Sequence, residues 1–561
     1  MSEMIAALSV IFISAGVLLL VANHLSLPTI PFYIIAGFVA GAFVPQEGVL
    51  DLAQWGIAFL VFVFGVGVDL PKLSTVFRDS EFTASAQLIV LAPLGYGVGV
   101  LFGFDPLNAL YFAIAATLSS TLVGTGLLEV EIRNNLVHGR LAKSIHLLDD
   151  FVAIALVLVL SASAFTADAV AAKIGYGVLV VLLALIIQRH FFEYLTRYAE
   201  GSQELLMIGA ISLLIGFLTL SELVGISPVI GAFAAGLAIR RDYTRNLGML
   251  NGIGSIKDFF VVIFFVTLGA LVSVPSPRVF AVAAALVVLT AVCKPLITIA
   301  ALLYEGYDVR TATLTSVSLD QISEFALIIA IQALLIGRIA PDLFDALILA
   351  AAFTMVTSSL TRRYDEAVFE RVTGPLLGDR QTRKIDEQSS VGGAPTDHVV
   401  IVGYGRVGRR LAATCESAGV DYVVIENDPA MIAQLREGAD RFVVGDAMYE
   451  YVWTKANVGE ARIVVSTVDQ RRVTDRVLDL DVAAEIVVRS ADSDEAAELR
   501  AAGASFVIVP DVLASERLEA IVADLLDGSV EADALKTRHL TELDRLEEHG
   551  LDSQTPDERP I

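Results

Sequence analysis

Hydrophobic positions along this chain fall into two regimes. Up to about Leu360 they form long runs separated by short polar loops, and beyond it charged residues recur every few positions. A helix that crosses a bilayer needs about 20 mostly apolar residues. Such runs lie near 4–23, 27–44, 52–69, 83–103, 107–127, 144–165 and 173–189. Others lie near 204–222, 225–239, 257–274, 279–303, 311–336 and 341–360. The pattern predicts a polytopic α-helical membrane region, residues 1–360, with about 13 spans. Residues 361–396 read as a polar linker carrying Ser389-Ser390 and Gly392-Gly393. Short β-type runs then alternate with helical stretches over 397–527, and an acidic tail occupies 528–561.

Charge fixes the expected orientation. An odd span count puts the termini on opposite sides, and basic residues gather in cytoplasmic loops. One set of loops holds Lys72, Arg78, Arg133, Arg140, Lys143, Arg189, Arg197, Arg240, Arg241, Arg245, Lys257, Arg310, Arg362 and Arg363. The other holds only Lys173, Arg278 and Arg338. The expectation is a multi-pass protein of the cell membrane with its N-terminus outside and its soluble half in the cytoplasm. Met1–Met4 carries no basic residue, unlike a cleaved signal peptide. A net charge of −24 argues against nucleic acid as a partner. Arg outnumbers Lys, and much of the acidity lies in the soluble half. Both a high-salt habitat and a GC-rich genome favour the Arg excess or the acidity. Cys293 and Cys415 fall in different halves, so a disulfide framework is not expected.

The two parts of the membrane region echo each other at an offset of roughly 200 residues. Leu27-Pro28-Thr29-Ile30-Pro31-Phe32 leads to Ala36-Gly37, and Ile226-Ser227-Pro228-Val229-Ile230-Gly231 leads to Ala235-Gly236. The aromatic run 59–64 ends at Gly65 and Gly67, and the run 259–265 ends at Gly269. Leu118-Ser119-Ser120 matches Leu319-Asp320-Gln321. One extra span near 173–189 separates two copies of six, which inverts the second copy. Inverted repeats are an architecture of secondary transporters, with the site near the midplane between the copies.

Ionisable residues inside these spans are expensive, about 2.5–3.5 kcal/mol each on insertion scales, and so mark function. The sixth span carries Asp149-Asp150 ahead of the apolar run 151–160, and the eleventh carries Lys294 before Pro295. Neighbours on a helix point about 100° apart, so one aspartate can face an aqueous cavity while the other faces a helix. An Asp–Lys pair that only holds the bundle together needs no second carboxylate beside it. The fifth span offers Thr117, Ser119, Ser120, Thr121 and Thr125. The twelfth offers Thr315, Ser316, Ser318, Asp320, Gln321, Ser323 and Glu324. Hydroxyls can satisfy the freed backbone of an interrupted helix, and packing alone accounts for some of them but not for Asp320 and Glu324. His146, one turn before Asp150, is a proton-shuttle candidate, although a lone histidine is more often structural.

The membrane region resembles the monovalent cation:proton antiporter-2 family of Kef-type exchangers. The resemblance rests on Gly139-Arg140, Asp150, Phe264-Phe265-Val266-Thr267-Leu268-Gly269 and Gln321-Ile322-Ser323-Glu324-Phe325-Ala326. It implies the sodium/proton antiporter fold, with spans five and twelve as two crossed, interrupted helices and a separate dimerisation region. It also implies a homodimer, Asp150 as the carboxylate that holds the metal cation, and Na+ or K+ with H+ as substrates. Glutathione-gated members of the family carry Gln-Asp where this chain has Asp149-Asp150. The double aspartate with Lys294 is more like the electrogenic sodium/proton exchangers of the same fold.

In the soluble half, strand 398–402 runs into Gly403-Tyr404-Gly405-Arg406-Val407-Gly408 and a helix to about Gly419. A second strand, 422–425, ends on Glu426, 18 positions past the last glycine. In that setting a GxGxxG motif is a strong dinucleotide signal. The glycines let the backbone approach a pyrophosphate at a helix N-terminus, Arg406 opens that helix, and Glu426 can accept from ribose hydroxyls. Further strands at 442–444, 462–465, 485–489 and 506–509 complete a doubly wound Rossmann-like α/β sheet, with Gly445-Asp446-Ala447 after the third. This region resembles the regulator-of-K+-conductance (TrkA-N) domain, which implies NAD(H) or an adenine nucleotide (AMP or ATP) as regulatory ligand.

Two rival functions are weighed against the antiporter. A potassium channel would need a selectivity filter. Val402-Gly403-Tyr404-Gly405 lies in the Rossmann turn, and Gly95-Tyr96-Gly97 lies inside a continuous apolar run without a preceding pore helix. A membrane-anchored dehydrogenase would need one or two spans and a substrate domain after the dinucleotide fold. The chain is read as a transporter, not an enzyme.

Overall fold

A computed structural model describes residues 2–527 apart from 26, 44–45, 69–72, 134–135, 162–165, 193, 195–197, 199–201, 241–246, 378–388, 392, 394 and 491, and beyond them 536, 537 and 540. Lys72, Arg197, Arg241, Arg245, Gly392 and most of the acidic tail lie outside the described residues. The chain divides into two compact units: Met1–Glu305 with Val309–Pro375, and Gly306–Asp308 with Leu376–Ile561.

The first unit is all helix. Among the described residues, seven helices are long and apolar enough to cross a membrane, and five shorter apolar helices accompany them. The acid pair sits on a further helix, Val137–Leu160. Helix starts follow from local chemistry. Asp105 accepts from Leu107 N at 2.9 Å and Asn108 N at 3.2 Å, with Pro106 at the first helical position. Ser227 before Pro228 and Ser276 before Pro277 repeat that arrangement. A short polar side chain supplies an acceptor for free N–H groups, and proline has no N–H to satisfy there.

The repeat read from sequence reappears as reciprocal packing. Helix Thr29–Ala40 lies against Leu247–Ala270, and its counterpart Pro228–Leu237 lies against Gln46–Gly67. A Cβ at Gly37 would overlap the carbonyl of Val266, and one at Gly269 would overlap that of Ile34. In the other crossing, a Cβ at Gly236 would overlap Phe62 O, and one at Gly65 would overlap Phe233 O. The sequence-matched glycines thus bring backbones together at equivalent crossings of the two copies.

Spans five and twelve are interrupted, as the resemblance implied. The fifth is Pro106–Thr117 followed by Thr121–Leu127, with Leu118 extended at ψ 143° between them. The twelfth is Val309–Ser316 followed by Glu324–Leu335. The eleventh contains a π-helical turn, Leu289–Cys293, directly before Lys294. Such turns occur often at functional sites. Gly95-Tyr96-Gly97 lies within the unbroken helix Leu73–Leu101, a geometry that gives no filter. After Arg363 the chain stays helical through Asp365–Val368 and Phe369–Thr373. There Arg310 pairs with Glu366, and Thr313 and Thr373 share a 2.7 Å hydrogen bond.

The second unit is a six-stranded parallel sheet of order β3-β2-β1-β4-β5-β6. Its strands are β1 His398–Val402, β2 Tyr422–Glu426, β3 Phe442–Val444, β4 Ala461–Ser466, β5 Glu485–Arg489 and β6 Phe506–Ile508. Both faces of β1 and β2 are buried, which is why they read as continuous apolar runs. The order reverses between β1 and β4, the switch point at which doubly wound sheets bind ligands.

Candidate functional site

The interruptions of the two broken helices meet. Ser323 N donates to Leu118 O at 3.2 Å, which joins one break to the other by backbone alone. Gln321 Nε2 donates to Ser120 O at 3.1 Å and to Ser318 O at 3.0 Å, and Ser358 Oγ donates to Gln321 Oε1 at 3.0 Å. Gln321 therefore ties both breaks to the last long helix, Pro341–Arg363. Many hydroxyls here serve the backbone: Thr117, Thr125, Thr315, Ser316 and Ser318 each donate to a carbonyl three or four residues back.

The charged residues surround this junction, all buried. Ser119 N donates to Asp149 Oδ2 at 2.9 Å, and Lys294 Nζ donates to Leu118 O and to Ser119 Oγ, each at 3.1 Å. Lys294 and Asp149 thus meet through Ser119, and among the described residues they form no direct ion pair within 4.0 Å. On the adjoining turn, Thr121 Oγ1 donates to Asp150 Oδ2 at 2.6 Å and Leu122 N to Glu324 Oε1 at 3.1 Å. Ser120 caps the helix that begins at Thr121. Thr361 Oγ1 donates to Asp320 Oδ2 at 2.8 Å. Three carboxylate oxygens remain without a protein partner: Asp150 Oδ1, Asp320 Oδ1 and Glu324 Oε2. The fully buried His146 ring lies where a Cβ at Gly124 would stand, so that glycine makes room for it.

Asp149 and Asp150, adjacent in sequence, face different neighbours: one the Ser119 backbone beside Lys294, the other the hydroxyl of Thr121. Phe151 follows Asp150 and joins Phe64, Phe233 and Phe325, from three other helices, in a cluster with centroid separations of 5.2–6.4 Å. Among the described residues no three His, Cys, Asp or Glu side chains gather as a metal-binding group. Scattered hard oxygens suit a weakly held monovalent cation.

Sequence reasoning missed Thr354, Ser358 and Thr361. They bond to Ile322 N, Gln321 and Asp320 respectively. Their spacing of four and then three puts them on one face of a helix, and that polar stripe was the available signal. The carbonyl of Leu118 carries no side-chain signal at all.

In the second unit, Gly403 has φ +91°, a conformation open to glycine. A Cβ at Gly408 would overlap Gly403 O, so the helix Arg406–Ala418 can approach β1 only with glycine there. A Cβ at Gly405 would meet nothing within 4 Å, and no side chain caps that helix. The turn therefore presents an open, exposed cradle at a helix N-terminus, which fits a dinucleotide pyrophosphate. Glu426 accepts from Tyr404 N at 2.7 Å, Asn427 N at 2.9 Å and Asp428 N at 3.0 Å. A carboxylate has about four acceptor sites, so about one is left for a ribose hydroxyl. Burial pushes the Glu426 carboxyl above its ordinary range. Asp446 is buried and accepts from Met448 N at 3.0 Å, shaping the turn after β3.

Two interrupted helices meeting at buried carboxylates, inside an inverted repeat, define a secondary transporter. The chain belongs to the sodium/hydrogen exchanger family, whose transmembrane model matches residues 9–363. A TrkA-N domain model matches residues 399–510. Among relatives, the chain is 26% identical to the putative cation/proton antiporter YbaL of Escherichia coli K12, over 88% of this chain and 93% of that protein. It is 27% identical to the glutathione-regulated potassium-efflux system protein KefC of an Enterobacter species, over 88% of this chain and 81% of that one. A solved sodium proton antiporter from Methanocaldococcus jannaschii is 17% identical, covering 64% of this chain and 99% of its own, at a TM-score of 0.46. The chain is an antiporter-type membrane transporter with a TrkA-N domain, and the channel reading is not favoured.

Proposed function

We propose that the protein exchanges Na+ or K+ for protons by alternating access, with Asp150 as the carboxylate for which cation and proton compete. The observation that carries this is the Asp150 side chain: fully buried, one oxygen on Thr121 Oγ1, the other without a protein partner. A carboxylate that holds a cation cannot hold a proton on the same oxygen, so loading one expels the other. Lys294, held through Ser119 beside Asp149, supplies a balancing positive charge. Ser119, Ser120, Thr121, Asp320 and Gln321 keep the interrupted backbones in register.

The same reading carries about 13 spans, a cytoplasmic C-terminal unit and an outside N-terminus, supported by the loop charges. It also carries a homodimer through both the membrane and cytoplasmic units. Exposed Leu513, Leu518 and Leu525 on helix Pro510–Asp527 support a partner surface in the second unit. NAD(H) or an adenine nucleotide, held at Gly403, Gly405, Arg406 and Gly408 with its ribose at Glu426, would bias one transport conformation. A ligand shifts such an equilibrium only by its differential affinity, typically about 1–3 kcal/mol in coupled systems.

The test is proton flux in proteoliposomes while the external cation is varied among sodium, potassium and lithium. Cation-driven proton movement is expected. Cation conduction without a proton response would instead establish a channel.

A further inference from the structure

The polar centre contains a second carboxylate that the exchange scheme above uses only as scaffold. Glu324 opens the helix Glu324–Leu335, directly after the interruption that contains Asp320. It is as fully buried as Asp150, yet the two come from different elements more than 170 positions apart in sequence. Their anchoring is parallel. Asp150 takes the hydroxyl of Thr121 and Glu324 takes the N–H of Leu122, so consecutive residues gather both carboxyl groups at one turn. The two groups interact electrostatically at this range. Each also keeps one buried oxygen, Asp150 Oδ1 and Glu324 Oε2, without a protein partner.

A scaffold carboxylate has no use for that second oxygen. The bond to Leu122 N already joins the two broken helices, and a glutamine would make it equally well. A carboxylate has about four acceptor sites, and burying one of its oxygens without a donor is unfavourable unless something else fills the space. Two carboxyl groups drawn to the same turn relieve their repulsion by holding a proton or by taking a cation between them, and hard cations take oxygen ligands. We infer that Glu324 is a second cation ligand, so that the transported ion sits between carboxylates supplied by helix Val137–Leu160 and by the second broken helix. The inference rests on the antiport reading and deepens it. The ion then bridges the two elements that must move together, and its departure removes the attraction between them. Binding is a simple exchange of ligands, in which carboxylate oxygens replace water oxygens around the ion.

The experiment compares the full-length protein with Glu324→Gln and with Glu129→Gln as an exposed control. Equilibrium binding of radiolabelled sodium and rubidium is measured in detergent, and half-saturating cation concentration and maximal rate are measured in proteoliposomes. Glu324→Gln is expected to weaken binding and raise the half-saturating concentration by about tenfold or more, with a smaller change in maximal rate, as expected for a residue that holds the ion. Unchanged binding and half-saturation in a folded Glu324→Gln protein would overturn the inference while leaving antiport intact. Loss of antiport in the wild type with cation binding retained would sink the antiport reading instead, and the binding comparison would still decide Glu324. If Glu324→Gln does not fold, infrared difference spectra of the wild type with isotope-labelled glutamate replace it. A glutamate carboxylate band that shifts with sodium or rubidium but not with choline is expected, and its absence contradicts the assignment.

Discussion

Lys294 gives the sharpest stability prediction. Lys294→Ala removes an ammonium that donates to Leu118 O and Ser119 Oγ, both at 3.1 Å. The Leu118 carbonyl lies in the break of the first interrupted helix, where a lost partner costs about 1–3 kcal/mol. Asp149 keeps its bond from Ser119 N but loses the positive charge held by the same residue. Removing one partner from a buried charged group costs about 3–5 kcal/mol. The two losses share Ser119 and overlap, so a destabilisation of about 3–5 kcal/mol is expected. The assay is equilibrium unfolding in mixed micelles. The chain has two tryptophans, Trp55 in the first unit and Trp453 in the second, so a Trp453→Phe background makes fluorescence report on the first unit alone. A double-mutant cycle with Asp149→Asn should show a coupling of about 0.5–3 kcal/mol. Strict additivity, or a Lys294→Ala protein within about 0.5 kcal/mol of wild type, would refute the Ser119-bridged arrangement.

Other consequences are open to direct tests. Gly37→Val places a branched side chain against the Val266 carbonyl, and should cost several times the ~1 kcal/mol of an average substitution in thermal unfolding of the purified protein. Gly16→Ala, inside the helix Ser2–His24 and meeting nothing within 4 Å, should leave the melting temperature unlowered or slightly raised. Glu426→Gln must leave at least one of three backbone N–H groups without its acceptor, costing the second unit about 1–3 kcal/mol or more. Because burial raises the Glu426 carboxyl above its ordinary value, its contribution favours folding below the ordinary carboxylate range and is lost as pH rises through the folded value. Calorimetry on the full-length protein should show NADH binding more tightly than NADPH, whose added phosphate would meet Glu426 and Asp428. Equal or tighter NADPH binding would remove that role from Glu426.

What the sequence made legible was whatever has a local signature. The six β-strands were placed within about a residue at each end because strand runs and turn glycines alternate cleanly there. Gly37 and Gly236 were recognisable as repeat-related because close backbone approach demands glycine at both equivalent crossings. Asp149, Asp150 and Lys294 stood out because charge inside an apolar run is rare. The bridge from Lys294 to Asp149 through Ser119 was not legible, since hydrogen-bond routes depend on which backbone atoms an interrupted helix exposes. Ser358 and Thr361 were passed over because hydroxyls near a helix end also suit solvent, and only the tertiary fold brings them to Gln321 and Asp320. Glu324 was read as support for the crossed helices, and its second oxygen, without a protein partner, is apparent only once Leu122 is found on the other.

The central claim is competition between cation and proton at Asp150. The most direct measurement is the half-saturating cation concentration for exchange, determined in proteoliposomes at a series of pH values for the wild type, with Asp150→Asn alongside as a folded control. Competition at one carboxylate predicts a half-saturating concentration that rises in proportion to proton concentration on the acid side, a maximal rate that does not change with it, and no exchange by Asp150→Asn. A half-saturating concentration independent of pH, or wild-type exchange by Asp150→Asn, would contradict the account.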